Sequence, residues 1–386
     1  MTIRLSLLLA LSTLPSGLPS QEVPTTKLGR ARTTFDEPFS RISAVREEPD
    51  GRVLVLDNLE NRLDRVDLRT STAAPVGRQG NGPGEYLLPL YLLALAGDTT
   101  LAIDMYGRGR ALLMVARGAT DRRITAKGSA SNAPLFNRPD VQADARGSLY
   151  ELVRLSSPAD REGGYSAIQR FNRTTGRRDT IGRVSQRVRS PLIKPASATP
   201  SSGVERSMGG PPPPYSSLDQ WAVAPDGRVA MVTVDPYRVR LIEPGGRVVD
   251  GPVSPYRAVP MSADLKAAWR WQQEQPVSTL LYGRDGSVTA GRQRIPYKVP
   301  LAWPPVLPPF LPEALRFAPD GTLWIERAGL SDAGKQFDVI DVRGQLVRRV
   351  AFPVGVRLLG FGRNAVYTVR RDADDLEYLQ VHEWRS

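Results

Sequence analysis

Six times along the chain, a run of alternating apolar and polar residues meets a tight turn and then a second apolar run that ends at or near a polar residue. The clearest copies are AVREEPDGRVLVLD (Ala44 to Asp57), WAVAPDGRVAMVTVD (Trp221 to Asp235) and LRFAPDGTLWIE (Leu315 to Glu326). Weaker copies are LALAGDTTLAID (Leu93 to Asp104), VQADARGSLYEL (Val141 to Leu152) and LLGFGRNAVYTV (Leu358 to Val369). Asp-Gly and Gly-Asp supply the positive φ that a tight hairpin between right-twisted strands needs. Period-two alternation of Val, Leu, Ile and Trp with polar residues is the pattern of strands. Each copy therefore predicts a β-hairpin.

Further strand-like sequence follows each hairpin, as in RLDRVDLR (Arg62 to Arg69) and FDVIDVRGQLVRRVAF (Phe337 to Phe352). Each unit thus reads as four antiparallel strands. From Asp50 the turns recur at steps of 48, 48, 80, 94 and 43 residues. Units of four strands at roughly 40 to 50 residues are propeller blades, and the two long steps call for insertions at 185–217 and 255–312. The expected fold is all-β, a six-bladed β-propeller in a single domain over residues 21–386. The last unit supplies only three strands, ending in LEYLQVHEWR (Leu376 to Arg385). KLGRARTTF (Lys27 to Phe35) stands alone before the first unit. That N-terminal strand is expected to close the last blade, which removes the exposed edges of an open ring. A seventh blade built on TLLYGRDGSVTAG (Thr279 to Gly291) is the alternative, disfavoured by the prolines of PYKVPLAWPPVLPPFLP that follow it. A β-sandwich would explain the strands without the repeat.

Between the first two units lies GRQGNGPGEY (Gly77 to Tyr86). A phosphate-binding glycine loop follows a strand and opens a helix, whereas this one runs through Pro89 into the next hairpin. Its glycines read as a blade junction, with Glu85 anchored to an arginine or a backbone amide. The hairpin repeat together with this GxGPGE element resembles six-bladed propellers related to NHL repeats, found among secreted bacterial proteins. That resemblance spans nearly all of the chain after residue 20. It implies an architecture that serves binders, lyases, lactonases and strictosidine-synthase-like enzymes alike. The metal-binding histidines of the amidating-lyase type are absent.

Composition narrows the chemistry. With no cysteine, the chain has no disulfide, thiolate metal site or cysteine nucleophile. His382 is the only histidine, which removes His-rich zinc sites and an internal Ser-His-Asp triad. The net charge of +12 rests on 46 arginines and 6 lysines, a balance that favours anionic partners. Those arginines are scattered rather than gathered in a stripe with aromatics, so nucleic acid is not expected. The start, MTIRLSLLLALSTLPSGLPS, has the layout of a cleaved signal peptide over residues 1–20. Its apolar run is shorter than the roughly 20 residues a membrane span needs, so no transmembrane anchor is expected. The protein is expected to be secreted or periplasmic, and a monomer.

In a propeller the first-to-second-strand turns share one face, and the second-to-third-strand turns share the other with the blade-to-blade connections. We call these the turn face and the loop face. The loop face is expected to carry Asp57, Asn58, Asp104, Tyr106, Arg108 and Asp235, and also Tyr237, Glu326, Arg327, Arg370 and Asp372. Among these, Asp57, Asp104, Asp235 and Glu326 recur at equivalent positions. They either point oxygen ligands for calcium into a central channel or accept amide hydrogens in their own turns, and the second reading is preferred. Residues 185–217, rich in Pro, Ser and Gly, read as a mobile loop. Within 255–312, SADLKAAWRWQQEQP predicts a helix capped by Ser262 and stopped at Pro276. Both insertions should emerge on the loop face, where Trp269, Trp271, Trp303 and Phe310 with nearby arginines would shape a covered binding surface.

Two functions are compatible with these residues. One is a non-catalytic binding scaffold for a protein, a glycan or another anionic envelope component. The other is a calcium-dependent hydrolase or lyase of the lactonase or strictosidine-synthase-like type. The missing histidines and the lack of a spaced acid pair favour the scaffold.

Overall fold

The computed structural model describes residues 23–80, 82, 85–95, 99–104, 111–116, 119–125, 141–172, 175–187, 214–283, 287–300, 302–329 and 334–384. The expected leader, Tyr106, Arg108 and residues 188–213 of the first insertion lie outside them. Six blades of four antiparallel strands follow one another along the chain, each ordered from its first strand outward, and the fifth blade carries one further strand. Blade 1 holds Ile42–Glu47, Val53–Asp57, Arg62–Asp67 and Thr72–Pro75. Blade 2 runs from Pro89–Ala94 through Thr100–Asp104 and Ala111–Ala116 to Ala119–Thr125. Blade 3 starts at Gln142–Ala143 and ends at Arg178–Ser185, and blade 4 spans Gln220–Val223 to Val248–Val253. Blade 5 spans Phe310–Phe317 to Leu346–Ala351.

Blade 6 contributes Val356–Phe361, Ala365–Arg371 and Glu377–Glu383, and its outer strand is Ala31–Thr34 from the N-terminus. That is the expected closure, and it goes one step further. Thr25–Lys27 pairs in parallel with Leu346–Ala351 of blade 5, so the N-terminal segment ties down two successive blades. The seventh blade does not form: Val277–Tyr282 and Val288–Gln293 make an isolated two-stranded sheet.

Apolar residues fill the gaps between neighbouring blades, because each sheet is covered on both faces only by its neighbours. Val53 and Val55 of blade 1 pack with Val369, Leu379 and Val381 of blade 6. Val232 and Val239 of blade 4 pack with Leu323 and Ile325 of blade 5. Between blades 5 and 6, Trp324 meets Phe337 at 5.8 Å, Phe361 at 5.2 Å and Trp384 at 5.7 Å between ring centroids. With no disulfide to assist, these layers and the ring closure hold the domain together.

The GRQGNGPGEY junction is built as a backbone device. Arg78–Gln79 and Glu85–Tyr86 pair in parallel, Arg78 Nε donates to Glu85 Oε1 at 2.6 Å, and Gly82 N donates to Glu85 Oε2 at 2.6 Å. A Cβ on Gly80, whose φ is 155°, would stand 2.2 Å from Glu85 Oε2, so a side chain there would displace the carboxylate that pins the junction.

His382 belongs to the closure. Its Nδ1 lies 2.8 Å from the Gly29 carbonyl, and its Nε2 lies 2.9 Å from Thr368 Oγ1, so the neutral ring is satisfied at both nitrogens. Burial lowers its pKa below the usual 6.5, against the opposing pull of hydrogen bonds to the Gly29 and Arg30 backbone. The unfolded chain therefore binds a proton that the folded chain resists, and stability falls as pH drops below about 6.5. The melting temperature should decline between pH 7.5 and pH 5, and in His382→Gln this decline should be smaller.

Candidate functional site

Two of the recurring carboxylates are structural pins. Asp57, at the end of a fully buried strand, is itself inaccessible to solvent. It accepts amide hydrogens from Ser40 at 2.7 Å, Arg41 at 3.2 Å, Leu59 at 3.0 Å and Glu60 at 3.1 Å. Asp104 does the same for the Leu87 and Leu88 amides, the latter at 2.6 Å. Each carboxylate thus holds the segment leading into its blade's first strand against the end of its second. Blade 4 reverses the arrangement: Asp219, before the first strand, accepts from Val234 N at 3.0 Å, and Asp235 is left exposed. Glu326 pairs with Lys335 at 2.7 Å.

This geometry fits the preferred reading, turn pins, at Asp57 and Asp104, and not calcium ligands. The lone pairs of Asp57 and Asp104 are directed at backbone amides, and burial, outweighing those bonds, raises the pKa of Asp57. Among the described residues no group of three or more His, Asp or Glu side chains is placed to hold a metal ion.

The other expected site residues are dispersed. Tyr237 is buried, its hydroxyl donating to Asp338 Oδ2 at 3.1 Å and its ring 5.7 Å from the equally buried Phe310. Trp269 and Trp303 pack within the second insertion against Leu265 and Leu307, with Trp269 5.1 Å from Tyr215. Arg370 lies over the Tyr378 ring at 4.9 Å, Asp372 caps its own turn by accepting the amides of Asp374 and Leu376, and Arg327 bonds Gln336 at 3.1 Å. Asn58 is half-buried, with Oδ1 shut away from solvent and unbonded. Trp271 alone of the insertion's tryptophans is exposed, at 43%.

Trp271 leads to a cluster that the sequence pattern did not single out. The helix Ala263–Glu274, capped by Ser262 as expected, brings the Trp271 ring to 5.0 Å from the Arg371 guanidinium. Beyond the helix, the Pro276 carbonyl accepts from Arg41 Nη1 at 3.1 Å. The hairpin that follows rests on blade 1, where Ser278 Oγ donates to the Asn58 carbonyl and Arg292 Nε to that of Leu59. The insertion leaves blade 4 and ends on the loops of blades 6 and 1.

Beneath it, three guanidinium groups converge on one carboxylate. Glu377, 1% exposed, accepts from Arg357 Nη2 at 3.0 Å, Arg371 Nη2 at 3.1 Å and the Ile42 amide at 2.7 Å. Arg41 completes the trio, and burial lowers its pKa, with attraction to Glu377 opposed by repulsion from Arg371 and Arg357. Arg316 of blade 5 extends the positive field. It is exposed to solvent, burial of its surroundings lowers its pKa, and Glu313, Glu326 and Arg357 act on it electrostatically. Glu313 is exposed and sits in a wide bulge between Phe310 and Leu315 with φ of 65°. Non-glycine residues in this left-handed region are uncommon and are retained where surrounding contacts impose them. Here buried Gln220 does so, donating to the Leu311 carbonyl and accepting from Ala314 N at 3.3 Å.

No protein-family profile matches the chain. No curated protein matches it either. Solved structures do match in fold. One is virginiamycin B lyase from Staphylococcus aureus, at 9% identity and TM-score 0.37 over 92% of this chain and 99% of that one. A gluconolactonase from Xanthomonas campestris matches at 10% identity and TM-score 0.42, over 94% and 96%. A PQQ-bound aldose sugar dehydrogenase from Streptomyces coelicolor matches at 16% identity and TM-score 0.42, over 92% and 97%. Identities this low concern the fold alone, a six-bladed β-propeller, and the resemblance to NHL-repeat proteins is replaced by that broader architecture. They also correct the expectation of a non-catalytic scaffold. The matched propellers are described as a lyase, a lactonase and a dehydrogenase.

Asp57→Asn puts an amide N–H₂ where at least one backbone donor now bonds. It should destabilise the protein by about 2–4 kcal/mol, from lost and unsatisfied buried hydrogen bonds. Chemical denaturation of both proteins measures this directly.

Proposed function

We propose that the protein is an enzyme, a hydrolase or lyase that acts on an anionic substrate at the loop face beneath the second insertion. The observation that carries this reading is the convergence of Arg41, Arg357 and Arg371 on the buried carboxylate of Glu377, with Asp375 3.8 Å from Arg371 and Asp57 acting on Arg41. Partly desolvated guanidinium groups gathered in one place favour an anionic ligand, and Arg meets carboxylate and phosphate with paired donors.

The same groups suit the chemistry. Ester or lactone hydrolysis develops charge on a tetrahedral oxyanion, and elimination next to a carbonyl develops it on an enolate. Fixed donors aimed at that charge lower the barrier in either case. In this reading Glu377 positions Arg357 and Arg371, Arg41 and Arg371 meet the developing charge, and Glu313 takes up or delivers the proton beside Arg316. Trp271 supplies an apolar wall. No step in this scheme passes through Asp57, Asp104, Asp235 or Glu326. A leader at residues 1–20 would place the activity outside the cytoplasm. Among the described residues no helix is long and apolar enough to cross a membrane.

The test is turnover of a panel of carboxylate-bearing lactones, esters and β-substituted acids by the purified protein. At least one substrate should be consumed, and Arg41→Ala should lower kcat/KM by about a hundredfold, the usual effect of losing one charge-stabilising donor. Arg238→Ala, on blade 4, should leave it unchanged. Failure of every compound between pH 6 and pH 9, or full activity in Arg41→Ala, would sink the proposal.

A further inference from the structure

The repeat provides its own control for a second site. In blades 1, 4 and 5 the hairpin turn is a Pro-Asp-Gly, and the aspartate serves that turn alone. Asp50 accepts from the Arg52 amide at 3.0 Å and from its Nε at 2.8 Å. Asp226 repeats both bonds with Arg228, and Asp320 accepts from the Thr322 amide and hydroxyl. In blade 3 the sequence is Asp144-Ala-Arg-Gly-Ser, so Arg146 stands where the other three turns have aspartate. Capping has moved to Asp144, whose Oδ1 accepts from the Arg146 and Ser148 amides at 3.0 and 2.9 Å.

The Arg146 side chain is thereby released from any part in the turn. Blade 6 also has an arginine at this place, but Arg363 is engaged with the Pro49 carbonyl and lies 3.7 Å from Glu47, joining blade 6 to blade 1. Among the described residues no hydrogen bond or ion pair holds the exposed guanidinium of Arg146. It borders a cleft of about 680 Å³ on the turn face, set among the turns of blades 2, 3 and 4.

The rest of the cleft is built and polar. Tyr150 is 1% exposed and fixed by its hydroxyl to Asp144 Oδ2 at 3.0 Å. Arg170 and Arg177 share the one carboxylate of Asp179, at 3.0 and 2.8 Å. Ser148, Asn172 and Thr175 add hydroxyl and amide groups, while Leu95 and Pro244 add the apolar part. The lining carries three arginines and three aspartates; Asp226 is paired with Arg228 and Asp179 with Arg170 and Arg177, which leaves Arg146 as the guanidinium with no side-chain partner.

We propose that this cleft is a binding site for a small hydroxylated organic anion, a sugar acid or a sugar phosphate, with Arg146 and Arg177 holding its oxyanion. The volume suits a ligand of that size, and the hydroxyl and amide groups of the lining match its polyol body. The site stands on the face opposite the arginine trio and does not depend on the activity proposed there.

Isothermal titration with glucuronate, glucose 6-phosphate and neutral glucose tests the assignment. At least one anionic probe should bind saturably and glucose should not, and which anion binds decides between carboxylate and phosphate. Arg146→Asp restores the residue that three sibling turns carry, so it should keep the melting temperature while weakening binding about tenfold or more. Arg371→Ala, on the loop face, should leave the affinity unchanged. Absence of binding by both anions at 10 mM-scale concentrations (about a hundredfold above a typical weak site), equal binding of glucose, or undiminished binding by Arg146→Asp would overturn it.

Discussion

Closure of the ring is the constraint on which the rest of the structure depends. A propeller blade has neighbours on both faces but two free edges, and an open ring would leave its first and last blades half uncovered. Ala31–Thr34 supplies the outer strand of the last blade before the chain enters the first. Phe35 and Phe39, just beyond it, lie buried among residues of blades 6 and 1. Without that pairing, the segment that carries Arg41 would have no fixed relation to Arg357 and Arg371 of blade 6. The arginine trio thus exists only because the ends of the chain meet.

A second principle runs through the charged residues. In a chain with 46 arginines, an arginine by itself means little. Many of those described are answered locally: Arg69 by Asp67, Arg240 by Asp250, Arg247 by Glu243. Exposed pairs of this sort contribute little to stability, but they define a background against which imbalance stands out. The loop-face trio departs from that background by gathering three guanidinium groups about one buried carboxylate, Glu377. Arg146 departs from it by having lost the duty that its repeat position normally carries. In both places the structure keeps positive charge that folding alone does not use.

The fold was legible in the sequence because it is repetitive. Asp-Gly turns with period-two alternation mark the hairpins, the spacing marks the blades, and the unpaired strand at residues 27–35 marks the closure. Ser262 and Pro276 bracketed the helix correctly for the same local reason, since caps and stops act within one turn. The parallel pairing of Thr25–Lys27 with blade 5 had no such signal. The site was far less legible. Asp57 and Asp104 look alike as ligands and as turn pins, and only their four and two amide partners distinguish the roles. Glu377 carries no motif, and Arg41 lies more than 300 residues from the two arginines it joins. Arg146 did carry a signal, the loss of aspartate from a repeated turn, but its meaning depended on a cleft formed by three blades.

The sequence by itself determined the hairpins, the count of blades, the junction at GRQGNGPGEY and the helix in the second insertion, because each follows from contacts within one unit. It also determined which chemistries were closed, through the missing cysteines and the single histidine. Only the tertiary structure decided where the second insertion ends, which arginines go unanswered and which carboxylates are consumed by backbone amides. Those outcomes depend on residues far apart in the chain that meet only when the ring closes, and no local pattern of apolar and polar positions encodes such a meeting.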